Sequence, residues 1–231
     1  MPVKAVFFDA GETLVHPHPS FPELLSTVLR EEGHHVDADT IRERLSALAH
    51  LFTQPENRLW STSPERSRRF WTQVYSSFML DLGLGFPDSL GERLYAVFTD
   101  LSNYRLFDDV LPVLDELRVR GLVLGVISNF EQWLEHLLEH LDVTPYFQAT
   151  VISGVEGVEK PDPRIFRLAL ERTGVAPEDA VYVGDSVEFD IEPAASIGMT
   201  AVLLDRRGRY PDAGQPKIAS LDQLPALLDE R

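Results

Sequence analysis

From Leu106 onward, short apolar runs alternate with stretches of helical periodicity, and no other feature limits the fold so strongly. Val110–Arg120 reads as helix, Leu122–Ile127 as strand, Glu131–His140 as helix and Thr150–Ile152 as strand. The series continues with a helix opened by Asp162-Pro163 through Arg172, the strand Ala180–Val183, a helix after Phe189, the strand Thr200–Leu204 and a last helix behind Ser220. Such alternation predicts βαβ units, because parallel neighbours must be joined by a crossover rather than a tight turn. Another buried strand, Val3–Phe8, stops at the loop Asp9-Ala10-Gly11. The intervening segment has a different pattern. The Pro-rich His16-Pro17-His18-Pro19 leads to Ser20, whose spacing from Glu23 is that of a capping box for a helix to about Glu32. Helices are expected over Ala38–Phe52, Pro64–Leu82 and Ser89–Asp100, with Ser63 and Asp88 as candidate N-caps and no strand signal between them. The predicted architecture is α/β: a parallel-sheet core from residues 1–15 and 106–231, interrupted by an all-helical insertion over residues 16–105.

In an open parallel sheet, ligands bind beyond the carboxyl ends of the strands, near the point where strand order reverses. Three predicted strand ends carry polar groups: Asp9 and Thr13, then Ser128 and Asn129, then Asp185 with Asp190 five residues on. Lys160 falls in a loop before the helix that Asp162 opens, where it too would face such a site. Each has a plain structural reading when taken singly: a turn aspartate, a helix-capping asparagine, a surface lysine. Taken together, two carboxylates on different strand ends suit a hard divalent cation, and a lysine with small hydroxyl or amide groups completes an oxyanion site.

Composition narrows the chemistry. The chain has no cysteine, which excludes disulfides, thiolate metal sites and a thiol nucleophile. Its formal charge of −16 repels nucleic acid and anionic membrane surfaces, so neither is expected as a partner, and an anionic substrate needs a local cation. Lys4, Lys160 and Lys217 are the only lysines. The N-terminus lacks the basic start and cleavage site of a signal peptide, and no apolar run is long enough to span a membrane, so a cytoplasmic protein is expected. Oligomeric state leaves no signature in the sequence.

Four short motifs, in order, resemble those of the haloacid dehalogenase-like hydrolases: Phe8-Asp9-Ala10-Gly11-Glu12-Thr13-Leu14, Val126-Ile127-Ser128-Asn129, Lys160-Pro161-Asp162-Pro163, and Gly184-Asp185-Ser186 through Asp190. The resemblance implies a Rossmann-like core, and it likens the helical insertion to the cap domain of the family's first cap class. It also implies a Mg²⁺-dependent phosphatase of a phosphorylated small molecule. In that reading Asp9 is the nucleophile that forms an aspartyl-phosphate, and the metal ligands are Asp9, Asp185 and the Gly11 carbonyl. Asp190 supports the metal or Lys160, Lys160 neutralises charge, and Thr13, Ser128 and Asn129 hold phosphate oxygens. Phosphoryl transfer depends mainly on such positioning and charge stabilisation.

The sequence departs from the family pattern at Gly11, where most phosphatases of the family carry a second aspartate that protonates the leaving oxygen. Glu12 either substitutes for it or is a solvent-facing turn residue. A missing general acid costs about 10²–10⁴-fold, most of all for poor leaving groups, so a bias toward aryl or acyl phosphates is expected. Two alternatives stay open. One is a 2-haloacid dehalogenase, which uses the same aspartate without metal; the other is a non-catalytic protein that binds a phosphate ligand. In the insertion, Arg66, Arg68 and Arg69 either attract an anionic substrate or form a solvated helix face. Trp60, Phe70 and Trp71 either stack on a ring or fill a helical core. His16 and His18, which flank prolines at the entrance to the insertion, are read as hinge residues, with metal binding as the alternative.

Overall fold

The structure, a computed structural model, describes residues 3–211, 214 and 216–229. Its elements begin with β1 (Ala5–Phe8), β2 (Val15–Pro17), α1 (Phe21–Glu31), α2 (Ala38–Ala47), α3 (Pro64–Asp81), α4 (Asp88–Thr99) and β3 (Tyr104–Leu106). There follow α5 (Val110–Val119), β4 (Val123–Ser128), α6 (Leu134–His140), β5 (Ala149–Ile152), α7 (Ser153–Glu156) and α8 (Pro163–Thr173). The chain continues through β6 (Ala180–Gly184), α9 (Glu192–Ser196), β7 (Thr200–Leu204), β8 (Lys217–Ile218) and α10 (Leu224–Asp229).

Every residue of β1 is fully buried, and successive side chains enter opposite apolar layers. Val6 and Phe8 join Leu114 and Leu117 of α5 and Leu134 and Leu137 of α6. Ala5 and Phe7 join Ile165 and Phe166 of α8 and Ala194 of α9. A strand covered on both faces belongs at the centre of a doubly wound sheet. Accordingly, the strands are ordered β5-β4-β1-β6-β7-β8, and every pairing between them is parallel. The first three sheet strands lie to one side and the last three to the other, so strand order reverses between β1 and β6. This is a Rossmann-like α/β fold.

Helices α1 to α4 lie between β2 and β3, which pair antiparallel as Val15–Leu106, His16–Arg105 and Pro17–Tyr104. The helices carry apolar clusters of their own, one around Leu25, Leu29, Tyr75, Phe78 and Leu94, another around Leu51, Phe70 and Val74. Ser20 and Ser63 cap α1 and α3 by accepting from the Glu23 and Arg66 N–H groups. Asp88 is the first residue of α4 rather than its cap, which is Pro87. The helix expected over Ala38–Phe52 stops at Ala47, and a 3₁₀ turn follows over Ala49–Thr53. Pro55 holds Gln54 extended and so prevents continuation. No helix among the described residues is long and apolar enough to cross a membrane.

Candidate active site

Asp9 sits one residue beyond β1, where its N–H donates to the Val183 carbonyl at 2.9 Å and carries the ladder with β6 one step further. Asp185 lies one residue beyond β6, so the two carboxylates flank the place where strand order reverses. Ser128, the last residue of β4, donates from Oγ to Asp9 Oδ1 at 3.1 Å. Lys160 is buried, and its Nζ reaches Asp9 Oδ1 at 2.7 Å, Asp190 Oδ1 at 2.5 Å and Tyr182 Oη at 3.1 Å. Burial opposes the lysine's charge, but the adjacent carboxylates of Asp190 and Asp9 outweigh burial and hold its pKa above the ordinary value.

Asn129 lines the same cavity, yet its carboxamide is bound to the Lys160 main chain. Its Nδ2 donates to the Lys160 carbonyl at 2.8 Å, and its Oδ1 accepts from the Lys160 N–H at 2.6 Å. Asn129 therefore fixes the lysine loop to the end of β4. Asp190 is also committed: Oδ1 accepts from Lys160 and Tyr182, and Oδ2 accepts from the Ser186 N–H at 3.0 Å. A π-helical turn over Val187–Ile191 swings Asp190 inward against Gly184. A Cβ on Gly184 would come within 2.6 Å of Asp190 Oδ2, so this approach requires glycine.

Three carboxylates thus face two cations, Lys160 and Arg209, the latter donating to Asp185 Oδ2 at 2.7 Å. Burial, followed by the charges of Asp190 and Asp9, pushes Asp185 up to about 7 against the pull of Arg209. Burial also raises Asp9, with Lys160 opposing it. Oxygens of Asp9, Asp185 and Asp190 come within 4.8 Å of one another, a hard donor set carrying excess negative charge. Such a set fits a divalent cation. With Asp190 bound to three donors already, Asp9 and Asp185 are the carboxylates best placed to hold one.

Two residues singled out in the first motif are otherwise engaged. Thr13 is fully buried, does not line the cavity, and its Oγ1 has no hydrogen-bond partner. Glu12 adopts a left-handed backbone with φ of 58° and pairs with Arg207 at 2.5 Å, on the cavity wall. Gly11 lines the cavity, and a Cβ there would meet only Phe130 Cε2, at 4.0 Å.

The helical insertion is tied to the loops carrying Lys160 and Asn129 through buried carboxylates. Glu159, next to Lys160, accepts from the Leu59 N–H, from the Ser61 N–H at 3.1 Å and from Ser61 Oγ at 2.6 Å. Glu131, two residues after Asn129, accepts from Ser67 Oγ at 2.6 Å and Tyr95 Oη at 2.7 Å. Between insertion and sheet lies a cavity of about 720 Å³ with Asp9, Asp185 and Lys160 at one end. Trp60 and Trp71 line it while also packing against Phe70. Arg66, Arg68 and Arg69 are exposed, and Arg68 lies 4.5 Å over the Tyr95 ring. His16 belongs to the β2–β3 ladder and stacks at 4.4 Å on Phe107.

Sequence reasoning missed Tyr182, Arg209, Glu131 and Glu159. Tyr182 had a usable signal: a tyrosine inside a fully buried strand must place its hydroxyl on a polar partner, and the nearest polar cluster is this one. Arg209, in a loop beyond β7, has none.

The family model for haloacid dehalogenase-like hydrolases matches residues 3–198. The chain belongs to that family. It is similar to the phosphoserine phosphatase of Thermus thermophilus, 36% identical over 229 residues that cover 91% of this chain and 92% of that one. It is equally similar to the N-acylneuraminate-9-phosphatase of Mus musculus, 36% identical over 246 residues that cover 98% and 94%. Among solved structures, a HAD phosphatase from Thermococcus onnurineus superposes with a TM-score of 0.64 at 27% identity, covering 98% of both chains. This member of the haloacid dehalogenase-like family is a hydrolase.

Proposed function

We propose that this hydrolase is a Mg²⁺-dependent phosphatase of a phosphorylated small molecule that works through an aspartyl-phosphate on Asp9. The observation that carries the reading is the enclosed carboxylate of Asp9, held by Ser128 and Lys160, with an Asp185 oxygen within 4.8 Å, at one end of a substrate-sized cavity. The phosphatase names of two relatives over nearly the whole chain support it. Mg²⁺, held by Asp9, Asp185 and the Gly11 carbonyl, would supply charge neutralisation for the incoming phosphate.

In the first step an Asp9 oxygen bonds to phosphorus as the ester P–O bond breaks, and the alcohol oxygen leaves as an anion that takes its proton from solvent. In the second, water attacks phosphorus as the Asp9–phosphorus bond breaks and gives up a proton to solvent, releasing inorganic phosphate and regenerating the Asp9 carboxylate. Lys160 stays protonated between Asp9 and Asp190 and offsets the negative charge that accumulates in both steps. Ser128 orients the nucleophile. Asn129 and Asp190 place Lys160, and Tyr182 braces both it and Asp190. Glu12 is paired with Arg207, so it does not take the acid role left open at Gly11. Helices α1 to α4 act as the cap, closing over the site and excluding water.

The test is phosphate release from phenyl phosphate with Mg²⁺, with chelator and in Asp9→Asn. Activity that requires the metal and disappears in the variant supports the reading. Metal-independent halide release from a 2-haloacid, again lost in Asp9→Asn, would replace it with dehalogenation.

A further inference from the structure

The cavity's composition says what the non-phosphate part of the substrate must be, an inference that rests on the phosphatase reading. Beyond the carboxylate end, the insertion walls it with Phe21, Trp60, Trp71, Tyr75, Tyr95 and Phe98. Several of these rings stack on one another, Phe21 on Phe98 at 4.4 Å and Trp71 on Tyr75 at 5.9 Å, and they give this part of the wall a mostly aromatic surface. Among the described residues, the only basic side chains lining the cavity are Lys160 and Arg209, both at the carboxylate end and both already paired. Arg68, which lies over the Tyr95 ring, is not part of the lining. Acidic residues do line it. Glu131 reaches the cavity with its oxygens satisfied by Ser67 and Tyr95, Glu188 adds further negative charge, and Glu12 lines it paired with Arg207.

A carboxylate-bearing substrate would therefore give up hydration in a ring-lined space without meeting a free cation, beside like charge. An uncharged ring system would exchange water for aromatic contact over most of its surface. We propose that this enzyme takes phosphate monoesters of uncharged, ring-bearing alcohols or phenols, with the rings seated among Phe21, Trp60, Trp71, Tyr75 and Phe98. In this it differs from what the names of its phosphatase relatives denote, since phosphoserine and N-acylneuraminate 9-phosphate both carry a carboxylate. The vacant acid position at Gly11 points the same way, because phenols leave without help from an acid.

The chain supplies its own reporter. It has three tryptophans, Trp60, Trp71 and Trp133, and all three line the cavity, so intrinsic fluorescence reads occupancy directly. The experiment uses the full chain with Mg²⁺. To keep leaving-group chemistry constant, kcat/KM is compared for three primary alkyl phosphates: 2-(2-naphthyl)ethyl phosphate, phosphoserine and phosphocholine. The expected result is a preference of about ten- to two-hundredfold for the naphthyl ester. In parallel, cyclohexylmethylphosphonate, which cannot be hydrolysed and neither absorbs nor emits in the tryptophan range, should change the fluorescence saturably, while the phosphonate analogue of phosphoserine should not at equal concentration. Trp60→Leu should lower the naphthyl preference by about fivefold or more. A preference for phosphoserine or for phosphocholine overturns the substrate assignment and leaves the phosphatase reading intact. Saturable phosphonate binding with no hydrolysis of any phosphate ester does the reverse. Absence of phosphonate binding overturns the assignment whatever the turnover.

Discussion

Replacing Gly11 with aspartate should convert an enzyme limited by its leaving group into one that is much less so. The backbone at Gly11 lies outside the left-handed region, and an added Cβ meets only the Phe130 ring edge at 4.0 Å, so the backbone and the Cβ position accept a side chain there. It would project into the cavity that already holds Asp9 and Asp185. Those neighbouring carboxylates would raise its pKa, keeping it protonated often enough near neutral pH to give a proton to a departing alkoxide. A positioned acid is worth about 10²–10⁴-fold, or about 3–5 kcal/mol of barrier. The gain should be near the full range for 2-phenylethyl phosphate, whose alkoxide is a poor leaving group. For phenyl phosphate it should stay below about tenfold, because the phenolate leaves readily. The assay is kcat/KM for both substrates in wild type, Gly11→Asp and Gly11→Asn, with thermal melts to confirm folding. Asparagine has nearly the same shape and no proton to give, so it should leave alkyl turnover low. Equal alkyl turnover in wild type and the aspartate variant, or equal gains from aspartate and asparagine, would refute the reasoning.

Glu159→Gln replaces an acceptor of three hydrogen bonds with a group that turns an amide toward donors, and charge-assisted bonds of this kind are worth about 1.5–3 kcal/mol each. The variant should lose roughly 2–3 kcal/mol in urea unfolding, and KM should rise by a larger factor than kcat falls, because the tie between insertion and lysine loop is weakened; unchanged stability and KM would count against that tie. Asp109 is worked on by burial, yet hydrogen bonds from Arg206, Ser220 and the Leu221 N–H outweigh it and hold the carboxyl below its usual range. A depressed folded-state pKa contributes stability that is present above the unfolded value and is lost as pH falls through the folded one. Asp109→Asn should therefore melt lower than wild type at pH 7, with the difference shrinking below about pH 4; a gap independent of pH would contradict it.

Much of the sheet is legible because each buried strand is a continuous apolar run that ends in a polar residue, as Val3–Phe8 ends at Asp9 and Ala180–Val183 ends just before Asp185. Short elements are not. The three-residue strands β2 and β3 form a separate two-stranded ladder, the two-residue β8 carries no periodicity, and α7 spans one turn before Gly157 ends it with φ of 67°. At the site, residues at strand ends were visible because their places follow from the main chain. Their partners were not, because those depend on where loops far apart in sequence meet. Asn129 binds the Lys160 backbone, Glu12 turns to Arg207, Thr13 folds inward and Arg209 comes back to Asp185, and each choice is made by tertiary contact. The aromatic residues of the insertion read equally well as core or as ring-binding surface. Trp60 and Trp71 serve as both, packing on Phe70 on one side and walling the cavity on the other.

Trapping the covalent intermediate tests the central claim most directly. The enzyme is quenched in acid during turnover of an aryl phosphate with Mg²⁺, digested, and its peptides are weighed. A phosphoryl group on the peptide containing Asp9, removed by hydroxylamine and missing when chelator is added beforehand, is the outcome this account predicts. Turnover without label on that peptide, or single-turnover incorporation of heavy oxygen from water into the Asp9 carboxylate instead of into phosphate, would contradict it.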